Sequence, residues 1–195
     1  MRLRMTRWAV VAGALAAAAV PAAAQATEFT FAGLAWMSRA EDVRAALERK
    51  GYSFAQANGD GDYEFTGTLI GQKAQLIALM ADGKLAKFVV FLATPDEKAR
   101  ATYADLRATL VEKYGPPTET IERFVAPYAK GDGHEDEAIK ERKGELRTYW
   151  LRDAKPGPKF LGISVTDNLG VRVVYESPDW TREAERRQAK QKREF

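Results

Sequence analysis

The sequence predicts an α+β fold in which the order helix, strand, strand, strand occurs twice. Three observations carry this. The segment "DVRAALERK" at 42–50 returns as "DLRATLVEK" at 105–113, with five of nine positions identical. After each copy the apolar period changes from helical to alternating. Two tight-turn signals, Asp82-Gly83 and Asp167-Asn168 with Gly170, then sit between apolar runs in the manner of hairpins.

The first helix is expected to open at Ser38-Arg39-Ala40-Glu41, which reads as a capping box. Ala40, Val43 and Leu47 follow on one face, and Gly51 supplies a left-handed stop. Strands are expected at 63–70, 74–81 and 85–93. The second helix is expected to open at Thr94-Pro95-Asp96-Glu97, with proline where its missing N–H costs nothing. Ala99, Tyr103, Leu106, Leu110 and Tyr114 make its apolar stripe, and Gly115-Pro116-Pro117 ends it. Further strands are expected at 145–152, 160–166 and 171–177.

Aligning the hairpins places Asp82 on Asp167, whereas aligning the helices places Asp42 on Asp105. The hairpin offset is the larger of the two. The difference implies one insertion between helix and hairpin in the second copy, and the polar segment 124–144, "FVAPYAKGDGHEDEAIKERKG", is its natural place. The chain therefore reads as a first α+β unit at 27–93 and a second at 94–177, which could share a sheet. A charged tail at 178–195, helical in propensity and with Asp179 as a candidate cap, would close the chain.

The two helices ending at Lys50-Gly51 and Tyr114-Gly115-Pro116, each before a three-strand meander, carry a resemblance. Over residues 33–177 the pattern resembles the tandem α+β modules of β-lactamase-inhibitor proteins. It is also similar to the outer-membrane-assembly domain known as SmpA/OmlA. The resemblance implies a surface that binds protein.

Residues 1–26 read as a signal peptide. Arg2, Arg4 and Arg7 precede the short apolar run "WAVVAGALAAAAV", and Ala24-Gln25-Ala26 offers a small-x-small cleavage site. This predicts export to the periplasm and a mature chain from Thr27. Of the 30 basic and 27 acidic residues, three basic ones leave with the signal, so the mature chain carries no net charge. That balance gives no support to a nucleic-acid partner. There is no cysteine, which excludes a disulfide framework.

Two acidic stretches invite metal readings. In "NGDGDYE" at 58–64 the oxygen ligands alternate, but Tyr63 stands where an EF-hand loop needs glycine and Leu69 where it needs glutamate. A structural turn is the expectation. "GDGHEDE" at 131–137 holds the only histidine, His134, with no second His or Cys to fix a site, and reads as a solvated loop. Nucleophilic catalysis needs an activated side chain and a placed base. Ser38 reads as a cap, and Ser164 lies in a strand without an elbow motif.

The aromatic residues are the candidate interface. Trp36 leads into the first helix. Tyr149 and Trp150 are neighbours on one strand and so face opposite ways, one into the core and one outward. The expected function is a non-enzymatic periplasmic binding protein that presents its sheet to a protein or envelope component, with no cofactor and no metal. The alternatives are a small-ligand carrier with a pocket between the units and a carboxylate-dependent hydrolase.

Overall fold

The structure is a computed structural model that describes residues 28–193. The predicted signal peptide lies outside the described residues. The α+β class is observed. Helix α1 (Ala40–Arg49) leads into β1 (Ser53–Ala57), β2 (Tyr63–Leu69), β3 (Gln72–Ala81) and β4 (Lys84–Ala93). A short 3-10 turn then enters α2 (Ala99–Tyr114), followed by β5 (Glu119–Phe124), α3 (Glu135–Lys140), β6 (Gly144–Arg152), β7 (Lys159–Val165), β8 (Val171–Glu176) and α4 (Trp180–Lys192). No helix among the described residues is long and apolar enough to cross a membrane.

All eight strands join one antiparallel sheet in the order β1-β2-β3-β4-β8-β7-β6-β5. The order reads the same inward from either edge, with β4 and β8 meeting at the centre. The ladder registers repeat as well. Moving both members of the pair Tyr63↔Ala78 along the chain by the hairpin offset, Asp82 to Asp167, gives Thr148↔Ile163, which is also a pair. The same shift carries Ala78↔Phe88 onto Ile163↔Val173. At the centre, Val89 faces Val174, its own counterpart under that shift. On the outer strands the two members move differently: Ala57↔Tyr63 corresponds to Thr120↔Thr148. There the edge strand follows the helix offset, Asp42 to Asp105, and its neighbour follows the hairpin offset. The change of offset falls between β5 and β6, within the segment anticipated as an insertion.

That segment is more ordered than the solvated loop expected of it. It holds α3, whose Ala138 and Ile139 are buried. The helix lies so close to β6 that a Cβ on Gly144 would stand 2.9 Å from the backbone nitrogen of Ile139. Further expectations need correction. Each helix is followed by four strands in the sheet rather than three, because β1 and β5 form the two edges. None of the predicted caps operates. The Ser38 hydroxyl donates to Ala35 O and the Thr94 hydroxyl to Leu169 O. Asp179 makes no capping bond and pairs with Arg182. The Gly51 stop is present, with φ at +88°, and Asp82 and Gly83 adopt the positive φ pair that a two-residue hairpin favours.

One sheet face and the helices share a single core. Phe65, Leu76, Ala78, Phe88, Val90, Trp150, Leu161, Ile163, Val173 and Tyr175 alternate onto that face, where Val43, Leu47, Tyr103 and Leu110 of α1 and α2 meet them. The segment before α1 runs beneath both halves of the sheet. Phe31 packs against Phe88 and Tyr175, while Phe29 meets Tyr114 edge-on at 5.2 Å.

Candidate functional site

The residues that alternate to the other face are absent from this core. One row crosses all eight strands: Gln56, Glu64, Ile77, Val89, Val174, Gly162, Tyr149 and Glu119. Its middle is apolar and its two ends are acidic and amide side chains. A second row, Leu79-Lys87-Glu176-Phe160-Leu151, holds a cross-strand ion pair in which Lys87 Nζ stands 2.7 Å from Glu176. Trp180 of α4 lies over this corner, its ring 4.8 Å from the Lys87 ammonium. A third row runs Gln75-Phe91-Arg172-Ser164-Arg147. The face is therefore mixed, with an apolar belt from Ile77 to Tyr149 set among charges of both signs.

Tyr149 belongs to this face. Its ring stacks on Phe160 with centroids 6.0 Å apart. Its hydroxyl donates to Glu119, and that hydrogen bond, with some burial, raises its pKa above the ordinary tyrosine value. Leu151 beside it is 44% exposed.

Trp150 is in the other layer, and its candidacy as a binding anchor is corrected here. It is 2% exposed, and its indole N–H donates to Gly115 O at 2.8 Å. The helices cover the face to which Trp150 points, so it is a core residue. Trp36 packs half-buried against the core, and its indole nitrogen finds no hydrogen-bond partner. The three candidates are thus not brought together. The face instead joins Tyr149 to Phe160, Phe91 and Arg172, which the sequence reading did not single out. The signal for Arg172 was present in the alternation of "VRVVYES": Val171 and Val173 point inward, so Arg172 must point outward.

The acidic stretches serve the backbone. Asn58 Oδ1 accepts the N–H groups of Asp60 and Asp62, an Asx turn of the predicted kind. Asp62 is only 2% exposed and accepts from Arg187 of α4. In the second stretch Asp132 accepts from the N–H groups of Ala129 and His134, and Glu135 from that of Gly131. Among the described residues no group of three or more His, Cys, Asp or Glu is placed to hold a metal ion.

Two concavities flank the third row. A groove of about 800 Å³ runs past Thr66, Lys73, Phe91 and the β7–β8 turn at Asn168. A smaller pocket of about 270 Å³ is lined by Arg123, Arg142, Arg147, Ser164 and Arg172, with the carboxylates of Glu145 and Asp167 on its rim.

The chain matches no protein-family model, no curated protein and no solved structure. The chemistry available is therefore read from the face alone. It offers aromatic and aliphatic contact at the centre and charges of both signs around it.

Proposed function

We propose that the chain consists of two copies of one unit, α–β–β–β–β, joined through β4 and β8, and that its open sheet face binds a protein or cell-envelope component in the periplasm without catalysing a reaction. The single observation that carries the binding reading is the unbroken row from Ile77 to Tyr149. An antiparallel sheet buries one face and can leave the other open, and here the open face sets partly exposed Ile77, Val174, Tyr149, Phe91 and Phe160 around a buried Val89, a contiguous apolar area of the kind that marks contact sites. The duplication reading draws on the ladder registers that repeat under one shift and on the change of offset at the α3 segment. The resemblance to β-lactamase-inhibitor-type modules points the same way, since it implies a protein-binding surface.

Site-specific photo-crosslinking in the exporting cell tests the reading. A photoreactive side chain at Tyr149 or Phe160 should give a discrete adduct. The same group at Glu112, exposed on α2, should give none. Adducts from the helix side alone would sink the proposal.

A second reading, a small-ligand carrier, draws on the groove beside Phe91, which takes residues from both sides of the β4–β8 junction. A bound small molecule recovered with the purified protein, and lost on Phe91→Ala, would favour it over the sheet-face reading.

A further inference from the structure

We infer that the pocket between β6, β7 and β8 binds a compact dianionic oxyanion of the phosphate type, held by Arg172 and Arg147 over the hydroxyl of Ser164. The inference concerns a corner of the sheet face and stands or falls separately from the protein-binding reading.

Arg172 is the starting point. It is the counterpart of Lys87 under the shift that carries Asp82 onto Asp167. Lys87 is neutralised directly across the central ladder by Glu176 and covered by Trp180. The residue across from Arg172 is Phe91. The position that supplies a carboxylate to Lys87 thus supplies an aromatic ring to Arg172. Among the described residues Arg172 has no ion pair and no side-chain hydrogen bond, and it lies exposed.

Its other neighbour is Ser164, and beyond Ser164 comes Arg147. Two inter-strand spacings separate the arginine backbones, about 10 Å, so both guanidinium groups can reach a ligand above the serine. Ser164 is 9% exposed and lines the pocket with them. Arg147 makes a long contact to Glu145, at 3.4 Å, and its guanidinium lies 6.0 Å from the centre of the Tyr149 ring. The remaining basic residues of the rim are already paired: Arg142 with Asp167, Arg123 with Glu145 and Lys143 with Glu141. Each of these pairs is close to neutral, so the free positive charge of the pocket comes from Arg172 and Arg147.

Two planar forks and one hydroxyl converge on a ligand with several oxygens and a double charge better than on a single carboxylate. The same face carries Glu64, Glu119, Glu145 and Glu176 among its cations, so unpaired positive charge is local to Arg172 and Arg147 and does not extend across the face. A discrete group fits.

The test uses the full chain labelled with nitrogen-15 and sodium phosphate as probe, with sodium chloride holding ionic strength constant. The Arg172 and Arg147 Nε–H resonances should shift saturably. In the double variant Arg172→Gln, Arg147→Gln the apparent affinity, followed through the backbone amides of Ser164 and its neighbours, should fall by about tenfold or more. Lys73→Gln, a cation on the same face outside the pocket, should leave it unchanged. Both exchanges replace exposed side chains, and far-UV circular dichroism checks the fold. Glycerol 3-phosphate and vesicles of phosphatidic acid, a phosphomonoester lipid, against phosphatidylcholine separate the sources. Response to the soluble ester alone assigns a free phosphate ligand, and arginine-dependent sedimentation with phosphatidic acid assigns a lipid headgroup. The proposal is overturned if phosphate acts no more strongly than chloride, if acetate acts as strongly as phosphate, or if binding survives the double variant.

Discussion

Arg187 in α4 holds Asp62 with both arms of its guanidinium, Nη1 to Oδ2 and Nη2 to Oδ1, each at 2.7 Å and across 125 residues of sequence. Asp62 also accepts the N–H of Met80 at 2.9 Å and the Asn58 amide at 3.1 Å. Arg187 in turn donates to Met80 O and to Glu183. This network is what fastens a helix that has no apolar stripe. It explains why the charged tail does not stand free of the sheet.

Removing one partner leaves the other charge desolvated and uncompensated. Asp62→Ala and Arg187→Ala should each cost about 3 kcal/mol of stability, read as the shift in urea midpoint at constant slope. Replacing both by apolar residues of similar size should cost less than the two single losses combined. Additive losses would mean that the pair contributes nothing as a pair.

The same network sets an acid limit. Burial pushes the Asp62 carboxyl up, but the hydrogen bonds from Arg187, Met80 and Asn58 outweigh it and hold the group below its ordinary value. Glu183 behaves alike, burial against hydrogen bonds from Arg186 and Arg187, with a net lowering. A depressed folded-state pKa contributes stability that is complete above the unfolded value, near 4, and is lost as pH falls through the lower folded value. Stability measured by urea denaturation should therefore hold from neutral pH down to about 4 and decline below it. The gap between wild type and Asp62→Asn should close over the same acid range. A gap that stays constant to pH 2 would contradict this assignment.

How much of this was legible in the sequence depended on where each residue's energy comes from. Strands β2, β3, β4, β6, β7 and β8 were readable because one of their faces is buried, so apolar residues must alternate. The edge strands β1 and β5 were not, because they are exposed almost throughout and carry no such pattern. The stops at Gly51 and Gly115 were readable because both need positive φ. The caps were misread because Ser38 and Thr94 found backbone carbonyls elsewhere, a competition that only the tertiary structure decides. Parity placed Tyr149 and Trp150 on opposite faces, yet parity cannot say which face the helices cover. The anchoring of α4 centres on one arginine meeting one buried aspartate, with Lys190 on Asp60 and Trp180 over Lys87 beside it, and no local pattern announces a contact 125 residues away.

The separation of Tyr149 from Trp150 gives opposite mutational signatures. Trp150→Ala empties a fully packed site and strands the Gly115 carbonyl, so it should cost about 3–5 kcal/mol. Tyr149→Ala removes a ring from the solvated face and one surface hydrogen bond, and should cost about 1 kcal/mol or less. Paired thermal melts check this. Equal losses would place both rings in the core, or neither.

The two halves of the sheet should unfold together. Each half has its own helix and hairpins, and independent melting would be natural if each also had its own core. The packing argues otherwise. Phe31, from the segment before α1, touches Phe88 on β4 and Tyr175 on β8. Phe29 from the same segment meets Tyr114 at the end of α2 and lies under Arg152 of β6, with Cζ 4.1 Å from the ring. The Tyr114 hydroxyl donates to Thr30 O, and Lys159 pairs with Glu28. One short stretch of chain thus seals both halves, and the central ladder from Lys87 to Leu92 joins them edge to edge. Loss of either half would expose Phe29, Phe31 and one edge of that ladder at once, so the two should unfold as one unit. Labelling with 5-fluorotryptophan lets fluorine NMR follow Trp36 beside the first half and Trp150 within the second without substituting either. Their folded signals should vanish at one common urea midpoint. Phe31→Ala should lower that midpoint for both together, by about 3–5 kcal/mol in stability. Two separated midpoints, or a Phe31→Ala loss confined to one tryptophan, would show that the halves carry independent cores.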